Sequence, residues 1–254
     1  MTYLGEHEIT LEEVSHLGVK IIGPNEINEF FGTKITMADY PLLFTEEQIE
    51  NYKAQLKGDF ASREVKICLA LMLKEAAKCK FNLHFFAQWC ETKLHWEDGK
   101  YLGFFPWYKH SNEGQIMQCE PLPEFITEPI RSGWVLTCLE PNPFYTGGES
   151  YQKKSSIKAR QEVMLTAAEV AYLMLLTEKF FEPDTQMIGE FLTNSPYKGS
   201  PIIISNGKKC VLAKEVSRRI NFKPTFTINK KTGRPSIINH EKVALATALI
   251  SEIT

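Results

Sequence analysis

Apolar and polar residues change their spacing several times along this chain, and each change marks a shift in the predicted structure. Thr10 followed by Glu13 is a capping-box pair that opens a short helix through His16, and "VKIIG" then reads as a strand stopped by Pro24. Asn25 can cap a second short helix that ends at Gly32. Thr45 with Gln48 opens "EEQIENYKAQLK", which Gly58 closes. Ser62 begins a longer predicted helix through Lys78, with an apolar stripe of Val65, Cys68, Leu69, Met72 and Ala76. This spacing makes the N-terminal third mostly helical.

At Phe81 the period shortens. Phe81, Leu83, Phe85 and Ala87 alternate along "FNLHFFAQW", and Asp98-Gly99 joins two strand-like arms in "KLHWEDGKYLGFF". "QIMQC" and "GWVLTCL" supply two more strands, so residues 81–140 read as a largely antiparallel sheet covered by the preceding helices. Beyond the irregular "EPNPFYTGGESYQKK", Ser155 or Ser156 caps a long predicted helix to Glu182 whose apolar face carries Val163, Ala167, Val170, Met174 and Phe181. Asp184 caps another helix, "PIIISNGKKCVLA" turns as a hairpin at Asn206-Gly207, and "FTINKKTGRPSII" forms a second hairpin before a closing helix from about Glu241. The expected class is α+β, with antiparallel sheets under covering helices. Three stretches divide it: a mostly helical 1–80, a β-rich 81–152 and a mixed, basic 153–254, packed as one or two compact domains.

Composition adds a core and a compartment. With 254 residues, 43% of them apolar, the chain buries a substantial interior. Its six cysteines (Cys68, Cys79, Cys90, Cys119, Cys138 and Cys210) stand singly without a Cys-x-x-Cys pair, as reduced core thiols do. The start "MTYLGEHEIT" lacks the basic and apolar regions of a secretory signal, and no apolar run approaches the roughly 20 residues that span a bilayer. The expectation is a cytoplasmic protein with no membrane partner.

Charge changes the picture more. The net charge is −2, yet from Pro196 onward 11 Lys and Arg face 3 Glu, a local +8, while residues 1–195 carry −10. Such a division suits a polyanion-binding end, an acidic protein partner, or head-to-tail homo-oligomerisation. Lys208 and Lys209 follow one predicted turn, Arg218 and Arg219 end a predicted short helix, and Lys230, Lys231 and Arg234 crowd a second turn. These seven are the candidate polyanion-binding residues, with nucleic acid among the possible ligands. "TGRP" is similar to the Gly-Arg-Pro core of AT-hooks, although Thr232 stands where a further arginine is usual. Another anion site is conceivable at "TGGESYQKKSSIK", where Lys153, Lys154 and Lys158 gather at a predicted helix N-terminus.

Catalytic patterns are sparser. Ser155-x-x-Lys158 at a helix start and Lys231-Thr232-Gly233 near a strand resemble two of the three motifs of the penicillin-binding and serine β-lactamase enzymes. That resemblance implies Ser155 as nucleophile and Lys158 as its base; the Ser-Asp-Asn element of the family is absent between them. His84, Cys90 and His95 lack the ligand spacing of zinc sites, and Glu140 with Glu149 flanks a loop without a defined separation. No metal or cofactor is expected. The leading expectation is a non-enzymatic binding or assembly protein acting through its basic C-terminal region, with an acyl-serine hydrolase as the alternative.

Overall fold

A computed structural model describes residues 9–76, 79–93, 103–104, 124–146, 154–197, 200–206, 209–212, 215–224, 226–228, 235–237 and 243–252. The protein is α+β. In chain order its elements run α1 (Leu11–His16), β1 (Lys20–Ile22), α2 (Pro24–Phe31), α3 (Glu46–Asp59), β2 (Ile67–Met72), β3 (Glu75–Ala76), β4 (Cys79–Lys80), α4 (Leu83–Lys93) and β5 (Gly103–Phe104). Next come α5 (Glu124–Thr127), β6 (Gly133–Cys138), a 3-10 turn at Pro143–Tyr145, α6 (Lys154–Ala159), β7 (Val163–Met164) and α7 (Ala167–Phe180). The remainder is strand: β8 (Glu190–Tyr197), β9 (Ser200–Ser205), β10 (Lys209–Leu212), β11 (Glu215–Pro224), β12 (Phe226–Ile228), β13 (Pro235–Ile237), β14 (Ala244–Leu245) and β15 (Thr247–Glu252).

Two larger sheets carry the architecture. The first has the order β1-β2-β6-β15-β7, antiparallel except for the parallel β1–β2 edge, and draws strands from all three stretches of the chain. The second has the order β10-β11-β9-β8-β14, with β5 added parallel to β11. Helix α7 packs against β8 and β9 of the second sheet and β1 of the first, and every residue from Ala167 to Thr177 is buried. A helix that is apolar on all sides belongs inside. Its few polar groups are satisfied there: Tyr172 Oη donates to the Leu71 carbonyl at 2.9 Å, and the Thr177 hydroxyl donates to the Leu173 carbonyl at 2.8 Å.

The start of α7 is held by a buried cap. Thr166 and Glu169 form a capping box, and Arg131 Nε and Nη2 each donate to the Glu169 carboxylate at 2.6 Å. Breaking such a buried pair by removing one partner costs on the order of 3–5 kcal/mol.

Several predicted elements hold. The capping boxes of Thr10 and Thr45 start α1 and α3, "VKII" contributes β1, "GWVLTC" is β6, and the hairpin arms around "NKKTGR" pair as β12 and β13. Helix α2 ends at Gly32, whose φ of 69° suits its αL position, but Gly23 with Pro24 behind it forms the N-terminus in place of Asn25.

Other expectations are corrected. Residues 62–78 do not form a helix: Ala61 and Ser62 turn the chain with positive φ, and "ICLALM" becomes β2, buried on both faces between β1 and β6. A doubly buried strand is apolar throughout, so its run also satisfies a helical stripe. Conversely, "FNLHFFAQW" is helical. Asn82 Oδ1 accepts from the Phe85 amide at 2.8 Å to cap α4, which buries Leu83, Phe86 and Ala87 at helical spacing and sets the Phe85 and Phe86 rings at a tilt beside Phe31.

The long helix over 155–182 is two helices separated by β7, because Gln161 takes φ 58° and Thr166 restarts the helix. Residues after Asp184 form a turn and then β8. Asn206 does not open a hairpin to β10. It is buried, accepts from the Gly189 amide at 3.1 Å and donates to the Met187 carbonyl at 2.7 Å, while β9 pairs with β8 and β11. In place of a closing helix, β14 joins the second sheet and β15 fills a central position of the first. The Asp98-Gly99 turn and "QIMQC" lie outside the described residues. Among the described residues, no helix is long and apolar enough to cross a membrane.

Candidate functional site

Of the seven basic residues expected from the sequence, Lys209, Arg218 and Arg219 lie among the described residues. Strands β10 and β11 pair antiparallel with Lys209 directly opposite Arg218, and β10 ends the order of the second sheet. Arg219 pairs with Gly103 of β5, and consecutive strand positions belong to opposite faces, so positions 218 and 219 are divided between the two sides. Both lie within β11 and not at a helix end, which corrects the expectation for that segment. Lys208, Lys230, Lys231, Arg234, Lys153 and the Gly-Gly loop lie outside the described residues.

The candidate hydrolase pair is split from its third element. Ser155 and Lys158 sit one turn apart on the six-residue α6, both exposed, whereas Lys231-Thr232-Gly233 lies outside the described residues. His84 and Cys90 belong to α4, with His84 Nε2 2.9 Å from Gln88 Nε2, and His95 lies outside the described residues. Among the described residues no group of three His, Cys, Asp or Glu side chains is arranged to hold a metal. Glu140 is engaged by Arg63 at 2.6 Å and Lys66 at 4.0 Å; Glu149 is outside the described residues. Cys68, Cys79 and Cys138 are free thiols, and burial pushes Cys138 up to about 12, so it stays a protonated core group.

The break between α6 and α7 creates a site that sequence reading missed. An open cleft of about 360 Å³ lies there, lined by Ile157, Lys158, Gln161, Glu162, Met164 and Asn194. Glu162 is only 4% exposed. The positive φ of Gln161 turns the chain so that Glu162 faces inward, where its Oε1 accepts from Gln55 Nε2 of α3 at 2.7 Å. Among the described residues its Oε2 and the buried hydroxyl of Tyr145 make no hydrogen bond of good geometry, but the Tyr145 and Thr247 hydroxyls stand close enough to favour the ionised carboxyl.

A second acid and a base fix the wall behind Glu162. Arg160 donates to both oxygens of Asp59, at 2.6 and 3.0 Å, and stands over the Phe144 ring at 3.6 Å. Asn142 links the same carboxylate to the 3-10 turn: its Nδ2 donates to Asp59 at 2.8 Å and its Oδ1 accepts from the Phe144 amide at 2.9 Å. Burial opposes the Arg160 charge, but hydrogen bonding and attraction from Asp59 outweigh it and raise its pKa.

Burial likewise raises the Glu162 carboxyl above the ordinary carboxylate range, against the pull of the nearby Thr247 and Tyr145 hydroxyls, the attraction of Arg160 and the hydrogen bond from Gln55. Burial first, and the Glu162 charge second, raise both Tyr52 and Tyr145. With Asp59 occupying the Arg160 fork, Glu162 has no ion pair of its own among the described residues. In the sequence "ARQEV" falls inside the predicted helix that runs to Glu182, and only the break at Gln161 reveals the burial of Glu162. Comparison with known protein families, curated proteins and solved structures finds no match, so function is argued from this geometry alone.

Proposed function

We propose that this is a non-enzymatic binding protein whose basic C-terminal region contacts a polyanion, with the β10–β11 edge as part of the contact. The observation that carries the reading is the register of Lys209 against Arg218 at the end of the second sheet. Like charges at directly opposed strand positions are destabilising by roughly 0.2–1 kcal/mol, and a phosphate backbone or a carboxylate-rich surface offsets that cost. The local excess of 11 basic over 3 acidic residues supplies the longer-range attraction.

The test is binding of fluorescently labelled single- and double-stranded oligonucleotides of mixed sequence at low salt, with polyglutamate as a second polyanion. Binding to either nucleic acid, with little base preference, supports the phosphate reading. Binding to polyglutamate alone points to an acidic protein surface, and no binding to any of the three removes the proposal.

A second reading, acyl transfer by Ser155 with Lys158 as base, draws on one observation: Lys158 lines the cleft and Ser155 precedes it by one helical turn. Under the binding reading, a penicillin-like β-lactam leaves no covalent adduct on the intact protein. A stoichiometric adduct at Ser155 reverses the ranking.

A further inference from the structure

We propose that a single-stranded nucleic acid lies across one face of the second sheet, its phosphates following Arg219, Asn221 and Lys223 of β11 and one of its bases entering the cleft beside α6. This rests on the polyanion reading and narrows it to unpaired strands.

The two faces of this sheet diverge at β11. On one, the register aligns Ala244, Phe191, Ile204 and Phe222 across β14, β8, β9 and β11, and all four are buried. On the other, the matching line is Leu245, Leu192, Ile203 and then Lys223: three members of a separate apolar cluster followed by a cation. Ile220 and Phe222 are buried on the first face, so alternation puts Arg219, Asn221 and Lys223 on the second. A strand patterned in this way turns its polar face to solvent. Positions 219 and 223 stand about 13 Å apart along the strand, a span matched by two steps of an extended phosphodiester chain. Glu215 and Glu190 share the face but lie beyond the row, Glu215 four positions before Arg219 and Glu190 two strands from Asn221, so the cationic stretch is short.

The cleft lies on the same side. Ile157, in its lining, belongs to the apolar cluster of Leu192 and Ile203, and Lys223 follows those two in the register, about 10 Å across the sheet from β8. The lining suits a base. Gln161 and Asn194 are exposed there, with side-chain amides that donate to and accept from base edges. Ile157 and Met164 offer a ring apolar contact, and exposed Lys158 offers a phosphate its charge. The Glu162 carboxyl, bound by Gln55 and sealed from solvent, is left out of the contact. The volume of about 360 Å³ falls at the small end of ligand sites, which run from roughly 300 to 1,000 Å³. In a duplex the bases are paired and stacked, and taking one out costs free energy, so an unpaired strand fills the cleft more readily.

The experiment titrates the full-length protein with a labelled mixed-sequence strand of about 12 nucleotides and with the duplex made from it. Anisotropy at several salt concentrations gives the affinities, and the methyl NMR signals of Ile157 and Met164 report on the cleft. The single strand is expected to bind about tenfold tighter than the duplex and to shift both methyls, which the duplex leaves in place. Arg219→Ala with Lys223→Ala should weaken the single strand about tenfold and lower its slope of log affinity against log salt by up to about 1.4, at about 0.7 per phosphate. Asn194→Ala should weaken it severalfold with the slope unchanged. Acetylation footprinting reads the same contact on the wild type, whatever the variants do to folding: the single strand should protect Lys158 and Lys223 and leave exposed Lys20 of β1 reactive. Equal binding of strand and duplex, unmoved methyls, or an unprotected Lys223 overturns this proposal while the polyanion reading stands. Absence of binding to both nucleic acids overturns it too, and polyglutamate then decides whether the broader reading survives.

Discussion

The two sheets are built from similar strand types but set different residues opposite one another. In the first, β2 and β6 are buried at every position and lie side by side at its centre, Leu69 opposite Leu136 and Ala70 opposite Val135. The second shares its inner strands with the core, through Ile202 to Ile204 of β9 and Ile220 and Phe222 of β11, but its far edge sets Lys209 against Arg218. Apolar pairs in register stabilise a sheet; cationic pairs in register do not. The first sheet is therefore architecture, and the outer edge of the second is where a charge arrangement costly to folding is retained.

The largest effects should come from the first sheet. Leu69→Ala removes a fully buried side chain from the middle of β2 and should cost about 3 kcal/mol, seen as a lower urea midpoint with an unchanged m-value. Next is the wall behind the cleft. Asp59→Asn leaves Arg160 partly buried without its carboxylate and should cost on the order of 3 kcal/mol, with the loss shrinking in an Arg160→Met background.

Glu162 should behave in the opposite direction. Its carboxyl is raised in the folded protein by burial, so its protonated form favours folding: that contribution is complete below the unfolded value of about 4.5 and is lost as pH rises through the raised folded value. Glu162→Gln, which mimics the protonated acid, should match wild type in acid and become the more stable protein as pH rises. Urea unfolding of both at several pH values checks this, and a difference that does not change with pH contradicts the burial argument. The smallest effect belongs to the cationic edge, where Lys209→Ala with Arg218→Ala should leave stability unchanged or raise it by a few tenths of a kcal/mol.

These contrasts also explain which parts of the molecule were legible in its sequence. Capping boxes at Thr10 and Thr45 are local chemistry, and both appear as expected. The same signal lies in Thr166 and Glu169, but it sits inside an apolar stretch that reads as one continuous helix, which masks the start of α7. β2 reads as a helix because burial on both faces removes the periodicity that separates strand from helix, while in α4 the apolar residues at 81, 83, 85 and 87 also fit strand alternation. Asn206-Gly207 has turn composition, yet the Asn206 side chain is used to bracket the 187–189 segment. The cleft was hidden for a similar reason. The burial of Glu162 beside it depends on the positive φ at Gln161 and on Gln55 of α3, 107 positions away in sequence.

The most direct measurement of the central claim is the salt dependence of oligonucleotide binding, compared between wild type and the Lys209→Ala, Arg218→Ala double variant by fluorescence anisotropy. Each phosphate contact contributes a slope of about 0.9 in log affinity against log salt for duplex DNA. If the β10–β11 edge belongs to the contact, the double variant should bind more weakly at every salt concentration, with its slope reduced by up to about two and all sequences affected alike. Binding in which wild type and variant share the same affinity and slope, or a wild type that does not bind even at low salt, contradicts the claim and leaves the opposed cations as a feature of the sheet edge alone.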